Sequence, residues 1–386
     1  MNVRELYNTV NGLQGLVSAE RDSDASRSLR RRLWLWRRGF VSQSDAVYDL
    51  DESTYRNYVN DYQRYVRTKR INGTWSVALS NKLLFHRVMQ PFDEERMAVY
   101  GMVRDGTFHD IDAVVRNDCR ELADGGSAVA GADAVSDSGR EENAGAYSAA
   151  QRVVERLENE RRLVLKWTHG GGGNNVYLCE RVADGYRVND EHYAEATFRS
   201  FVANLDEYLV CEFVKQGSFS AGLYPETPNT LRIITMYDER SAEPFVAAAI
   251  QRIGTAASEP IDNFTQGGLS AELDRGTGTL GSGARISVDG EVVRYAAHPD
   301  TGAPIEGKRV LGWDRIRDRI LEMADACSFV PYVGWDVIVT GDDGAFTVIE
   351  ANSYPGLKSI QVHGPLLDTE RVRRFYERHD VYSRRH

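Results

Sequence analysis

The chain has 386 residues, 42% hydrophobic and 27% charged, with a formal net charge of −10. That length supports two or three units with cores of their own, and no apolar run reaches the roughly eighteen residues of a membrane-spanning helix. The acidic balance argues against a nucleic-acid binder that works by neutralising phosphates, so no nucleic-acid partner is expected.

The first twenty residues lack the basic start and continuous apolar core of a signal peptide. Cys119, Cys179, Cys211 and Cys327 form no CxxC pair. Both features lead to an expected cytoplasmic location with reduced thiols. Residues 1–75 read as a helical N-terminal extension. Within it "RRRLWLWRRGF" (30–40) combines five arginines with two tryptophans. One reading is contact with a membrane surface or an anionic substrate. The other is an amphipathic helix end with tryptophans packed inward and arginine stems over the surface. Residues 120–148 are small, acidic and aperiodic, as in a surface insert.

From 149 the pattern sharpens. "AAQRVVERLENE" (149–160) has helical spacing, and short apolar runs follow at 162–167, 207–214, 230–238, 244–254, 334–340 and 346–352. "WDRIRDRILEMADACSF" (313–329) reads as an amphipathic helix among them. "TGDDGA" (340–345) has turn chemistry, which predicts a hairpin over 334–352. Many strands, several joined by hairpins and flanked by helices, describe an α+β protein.

Three residues on that hairpin carry chemistry. Glu350 and Asn352 stand at i and i+2, on one face of a strand, and Asp336 lies on the preceding strand. Together they offer hard oxygen ligands that suit Mg²⁺ bound with substrate phosphates; a polar pair at a strand end is the plainer alternative. "VLKWTHGGGGNNVYL" (164–178) places Lys166 at the end of an apolar strand before four glycines. Gly170–Gly173 can bring backbone N–H groups close to an anion, or can form an ordinary surface turn. The run is neither a P-loop nor a dinucleotide-binding glycine motif. His169 and His298 lack the spacing of a zinc site, and no Ser-His-Asp or Cys-His nucleophile is recognisable.

Taken in order, Lys166 with its glycines, "CEFV", "NTLRIIT", "NFTQGG", "GWDV" and "IEANSYPG" resemble the ATP-grasp superfamily. They are similar above all to its sugar-transfer-associated branch, over about residues 30–386. The resemblance implies two α+β lobes that clamp ATP and Mg²⁺, with the helical extension at 1–75, a small lobe at 76–214 and a large lobe at 215–386. It implies that Lys82, in "SNKLLFH", and Lys166 contact phosphates together with Gly171, Gly172 and Gly173. Glu212 and the backbones of Phe213 and Val214 would hold adenine. Asp336, Glu350 and Asn352 would be metal ligands, and Arg232 and Arg252 would stabilise a phosphorylated intermediate. Asn263, Gln266 and Gly268 would lie on the substrate side. The activity implied is a carboxylate–amine ligase working through an acylphosphate on small-molecule substrates, in glycan, glycolipid or peptide-like biosynthesis. A kinase acting on a sugar or lipid hydroxyl and a non-catalytic ATP-binding component are the alternatives.

Overall fold

The computed structural model describes residues 3–23, 25–111, 148–169, 175–287 and 289–382. The chain divides into two units: Met97–Phe213, and Met1–Arg96 together with Val214–His386. Residues 76–96, expected with the small lobe, belong to the unit that holds the C-terminal half. The reason is apolar burial: Leu79, Phe85, Met89 and Phe92 share one cluster with Leu231, Ile233, Val333 and Trp335.

Met97–Phe213 builds an antiparallel sheet from β1 (Val99–Arg104), β2 (Thr107–His109), β3 (Arg162–Trp167), β4 (Val176–Val182), β5 (Gly185–Val188), β6 (Glu191–Tyr193) and β7 (Tyr208–Glu212). Its order is β2-β1-β7-β3-β4-β5-β6. The helix Ala149–Glu160 buries Ala149, Ala150, Val153, Val154 and Leu157, a spacing of one helical face. These meet Leu163, Leu165 and Val210 of the sheet in one core. Residues 112–147, which hold nearly all of the expected acidic insert, lie outside the described residues, as does Cys119. Cys179, Cys211 and Cys327 are buried, and burial pushes the Cys179 thiol up to about 12.

The other unit holds a second antiparallel sheet: β8 (Leu231–Asp238), β9 (Glu243–Ile253), β10 (Leu269–Leu273), β11 (Leu280–Ile286), β12 (Val292–Tyr295), β13 (Tyr332–Val339) and β14 (Phe346–Asn352). Its order is β12-β11-β10-β9-β8-β13-β14. Alternation along the central strands separates two cores. Leu231, Ile233, Trp335 and Val337 join Trp313, Ile316, Ile320 and Met323 of the helix Trp313–Ala326. Ile234, Met236 and Tyr332 join Val372, Phe375 and Tyr376 of the helix Glu370–Arg378. The expected hairpin closes where the Thr340 N–H donates to the Ala345 carbonyl at 2.8 Å, with Gly344 at φ +86°.

The N-terminal region is helical over Val3–Arg21, Leu29–Arg37 and Ser42–Val47. In the Arg/Trp-rich segment, Arg31 donates to Asp45 at 3.0 Å, Arg32 to Glu20 at 3.0 Å, and Arg38 to both Glu52 oxygens at 2.9 Å. The buried anchors are Leu35 and Phe40, whereas Trp36 is 43% exposed. Of the two tryptophans, Trp34 packs against the core that holds Leu35 and Phe40, as the plainer reading has it, and Trp36 does not. Among the described residues no helix is long and apolar enough to cross a membrane.

Candidate functional site

Arg232, Asp336 and Glu350 occupy matched positions on three adjacent strands. Asp336 pairs with Arg232 on β8 and with Glu350 on β14, and directly opposed residues share a face. A bulge makes this row. Phe346 and Val348 point into the core beside Trp313, and strict alternation would send Glu350 after them. The pairing slips between Val337↔Val348 and Asp336↔Glu350, so Ala351 enters that core instead. Glu350 and Asn352 are thereby turned to the face that carries Asp336. Bulges of this kind re-aim side chains at functional sites.

The Asp336 carboxylate is the hub. Arg232 Nε and Nη2 donate to its two oxygens at 2.6 Å each, and Asn352 Nδ2 donates at 3.3 Å. Arg252, on β9, brings Nη1 to 3.6 Å from the same carboxylate. Lys82, first residue of the helix Lys82–Val88, has its Nζ 3.9 Å from Glu350 Oε1. That helix starts where it does because the Asn81 side chain accepts from the Leu84 N–H; this cap sets the place of Lys82. Asp336 is buried and Arg232 is 14% exposed. Burial works to raise the Asp336 carboxyl, and the charges of Arg232 and Arg252 with the Asn352 bond overcome it, holding it below the usual carboxylate range. Burial likewise works against the Arg232 charge, and Asp336 more than reverses this.

Asp262 is a part of the site that the sequence reading missed. It is buried, its Oδ1 takes Arg252 Nη2 at 2.5 Å, and its Oδ2 accepts from the Thr230 N–H and hydroxyl at 2.8 and 2.6 Å. Asp262 therefore holds Arg252 from the side away from Asp336. The available signal was its position directly before "NFTQGG".

The three residues expected on the substrate side sit in one tight turn. The Asn263 side chain accepts from the Thr265 N–H at 3.1 Å, and its carbonyl accepts from Gln266 and Gly268 at 3.0 and 2.9 Å. A Cβ on Gly268 would stand 2.9 Å from the Asn263 carbonyl oxygen, so this close approach requires glycine. Gln266 is exposed.

The residues expected to hold the nucleotide are divided between the units. Lys166 and Glu212 lie on β3 and β7 of Met97–Phe213, and Val214 is the first residue of the following segment of the other unit. Lys166 Nζ lies 3.6 Å from Met97 Sδ. Glu212 accepts from the Ala98 N–H at 2.8 Å, and Arg162 lies over the Phe213 ring at 5.2 Å. Gly171, Gly172 and Gly173 lie outside the described residues. The structure thus gathers Lys82, Arg232, Arg252, Asp336, Glu350 and Asn352 within one unit, while Lys166, Glu212 and Phe213 belong to the other. Among the described residues no cluster of three His, Cys, Asp or Glu side chains could hold a metal ion; the expected set has two carboxylates and a carboxamide.

A family model described as sugar-transfer associated ATP-grasp matches residues 136–374. No curated protein sequence matches the chain. Among solved structures, the D-alanine-D-alanine ligase of Coxiella burnetii matches at 13% identity and a TM-score of 0.36, covering 82% of this chain and 60% of that one. The D-alanyl-alanine synthetase A of Vibrio cholerae matches at 9% identity and a TM-score of 0.38, covering 75% and 60%. The ATP-grasp ligase PsnB, complexed with a minimal precursor, matches at 11% identity and a TM-score of 0.36, covering 77% and 62%. The chain spans less than two thirds of the length of these structures.

Proposed function

Because this chain belongs to the sugar-transfer associated ATP-grasp family and has its α+β fold, we propose that it uses ATP to activate a carboxylate and then joins that carboxylate to an amine. The observation that carries this reading is the row Arg232–Asp336–Glu350, with Arg252, Asn352 and Lys82 around it. Hard oxygen donors and fixed cations side by side suit a reaction in which phosphoryl oxygens must be held and their charge offset.

In the proposed reaction a carboxylate oxygen takes the γ-phosphoryl group, giving an acylphosphate and ADP. The amine nitrogen then attacks the acyl carbon, the C–O bond to phosphate breaks, and the amine loses a proton. Inorganic phosphate leaves and an amide remains. Arg232 uses two of its five donors on Asp336. It orients that carboxylate and keeps its other N–H groups for substrate oxygens. Arg252, braced by Asp262, is proposed to offset charge on the acylphosphate and the tetrahedral intermediate. Lys82 and Lys166 are proposed to contact phosphates along with the glycine run, and Glu212, Phe213 and Val214 to hold adenine. Asn263, Gln266 and Gly268 are proposed to border the substrate.

The donor set fits Mg²⁺ in type, since Asp336, Glu350 and Asn352 offer two carboxylates and an amide oxygen. Three hydrogen bonds fill three of the roughly four acceptor positions of the Asp336 carboxylate and leave one open. When bound, the ion would supply charge neutralisation at phosphate oxygens. The buried thiols of Cys179 and Cys327 and ATP dependence support a cytoplasmic setting.

Turnover with a panel of carboxylates and amines tests the proposal. The expected result is ADP and free phosphate in equal amounts, with a product of amide mass. A phosphorylated product without free phosphate would overturn it in favour of a kinase.

A further inference from the structure

Six arginines line one cavity of the N-terminal helical region, Arg21, Arg32, Arg37, Arg38, Arg56 and Arg67, on a chain whose net charge is −10. The cavity measures about 1030 Å³ and is walled entirely by residues of one unit. Sites for small organic ligands run to roughly 1,000 Å³. None of the site residues described above lines it. Its one acidic lining residue, Glu20, is already engaged by Arg32 and Ser42.

Much of the positive charge is left without a carboxylate. Among the described residues no acidic group holds Arg21 or Arg37, both exposed. Arg67 donates to the Asp380 carbonyl at 2.7 Å, and Arg56 lies 4.5 Å over the Tyr55 ring. Arg38 and Arg32, by contrast, are paired with Glu52 and Glu20. Uncompensated cations in a concave site concentrate anions, and the guanidinium fork matches phosphate oxygens in pairs.

Aromatic rings stand between these arginines. Trp36 is 43% and Tyr62 36% exposed, and Tyr55, Tyr58 and Tyr382 complete the wall beside the Gln63 amide. A sugar ring offers C–H faces to such rings and hydroxyls to the phenols and the amide. A nucleobase would use the rings but would leave most of those hydroxyls unmatched.

We propose that this cavity binds a phosphorylated sugar, with its phosphoryl group on Arg21 and Arg37 and its ring against Trp36 and the tyrosines. The assignment stands independently of the ligase reading. The full chain, without nucleotide, would be titrated with glucose 1-phosphate, glucose and AMP, followed by calorimetry and tryptophan emission. Glucose 1-phosphate is expected to bind at least ~10-fold more tightly than glucose or AMP. The double change Arg21→Ala with Arg37→Ala, at exposed side chains, is expected to weaken it by ~10-fold or more with the thermal melt unchanged. Arg37→Lys, which keeps the charge but loses the fork, is expected to bind more weakly than the parent and more tightly than the double variant. Phosphatidylcholine vesicles with and without phosphatidylinositol test a lipid-borne source of the same chemistry. Binding only to the phosphatidylinositol vesicles supports the site and assigns it to a headgroup. Equal binding of glucose and its phosphate, tighter binding of AMP, an unaffected double variant, or no binding to soluble or lipid probe would each overturn the proposal.

Discussion

Asp336 and Glu350 are neighbours across a hairpin, yet their surroundings predict opposite consequences of losing a charge. Asp336 is buried with Arg232 on both its oxygens. Asp336→Asn removes the counter-charge of this largely enclosed arginine and should destabilise the fold by about 3 kcal/mol. Denaturant unfolding measures this, and an unchanged midpoint would contradict it. Glu350 is 25% exposed, and its Oε1 lies 3.9 Å from Lys82 Nζ. At that exposure Glu350→Gln should change stability by less than about 1 kcal/mol. The same change should lower ATP turnover by ~10²-fold or more. Near-normal turnover would remove Glu350 from the chemistry.

Acid stability belongs to the same scale. The Asp336 carboxyl is held below its unfolded value of about 3.9, so its contribution is complete above that pH and is lost as pH falls through the folded value. His363 acts higher. Burial first, and Arg294 second, push its ring down to about 3, against its hydrogen bond with Ser270. The unfolded ring takes up a proton near 6.5. Stability should thus fall below about pH 6.5, by at most ~1.4 kcal/mol per pH unit for this one group. His363→Gln should flatten the slope between about pH 6 and 4, and an unaltered slope would assign it elsewhere. Residue type and spacing singled out Asp336, Glu350 and Asn352, and the family resemblance pointed to both arginines. Their pairing was not legible, because Arg232 and Asp336 are 104 positions apart and meet only through the β8–β13 register.

Among the elements, the helices Ala149–Glu160 and Trp313–Ala326 follow directly from apolar residues at helical spacing. The β13–β14 hairpin follows from its Asp-Asp-Gly turn. The bulge that aims Glu350 does not, since "FTVIEAN" contains no glycine or proline to mark it. A bulge is defined by the partner strand, here by the slip between Val337 and Asp336. The hairpin also leans on Gly334, opposite Asn352, where an added Cβ would lie 2.6 Å from Pro355. Pro355 belongs to the segment that leaves β14 just after Asn352. Gly334→Ala should therefore cost about 1–3 kcal/mol in unfolding free energy. It should also reduce turnover beyond what instability explains, because Pro355 must move and Asn352 moves with it. Full activity in a stable Gly334→Ala protein would show that this packing does not position the site.

For the whole molecule, the α+β class and the helical N-terminal region were readable from pattern, while the division into units was not. Residues 76–96 join the unit of the C-terminal half through Leu79, Phe85, Met89 and Phe92. Their spacing alone cannot name a partner that lies well over a hundred residues later. The family match and the cluster around Asp336 support one chemical account: phosphate passes from ATP to a carboxylate oxygen before the amine attacks. The most direct test labels both oxygens of the accepted carboxylate with heavy oxygen and follows the released phosphate by mass spectrometry. The account predicts one labelled oxygen in each inorganic phosphate released, with the other retained in the amide. Unlabelled phosphate, or label held entirely in the product, would contradict it.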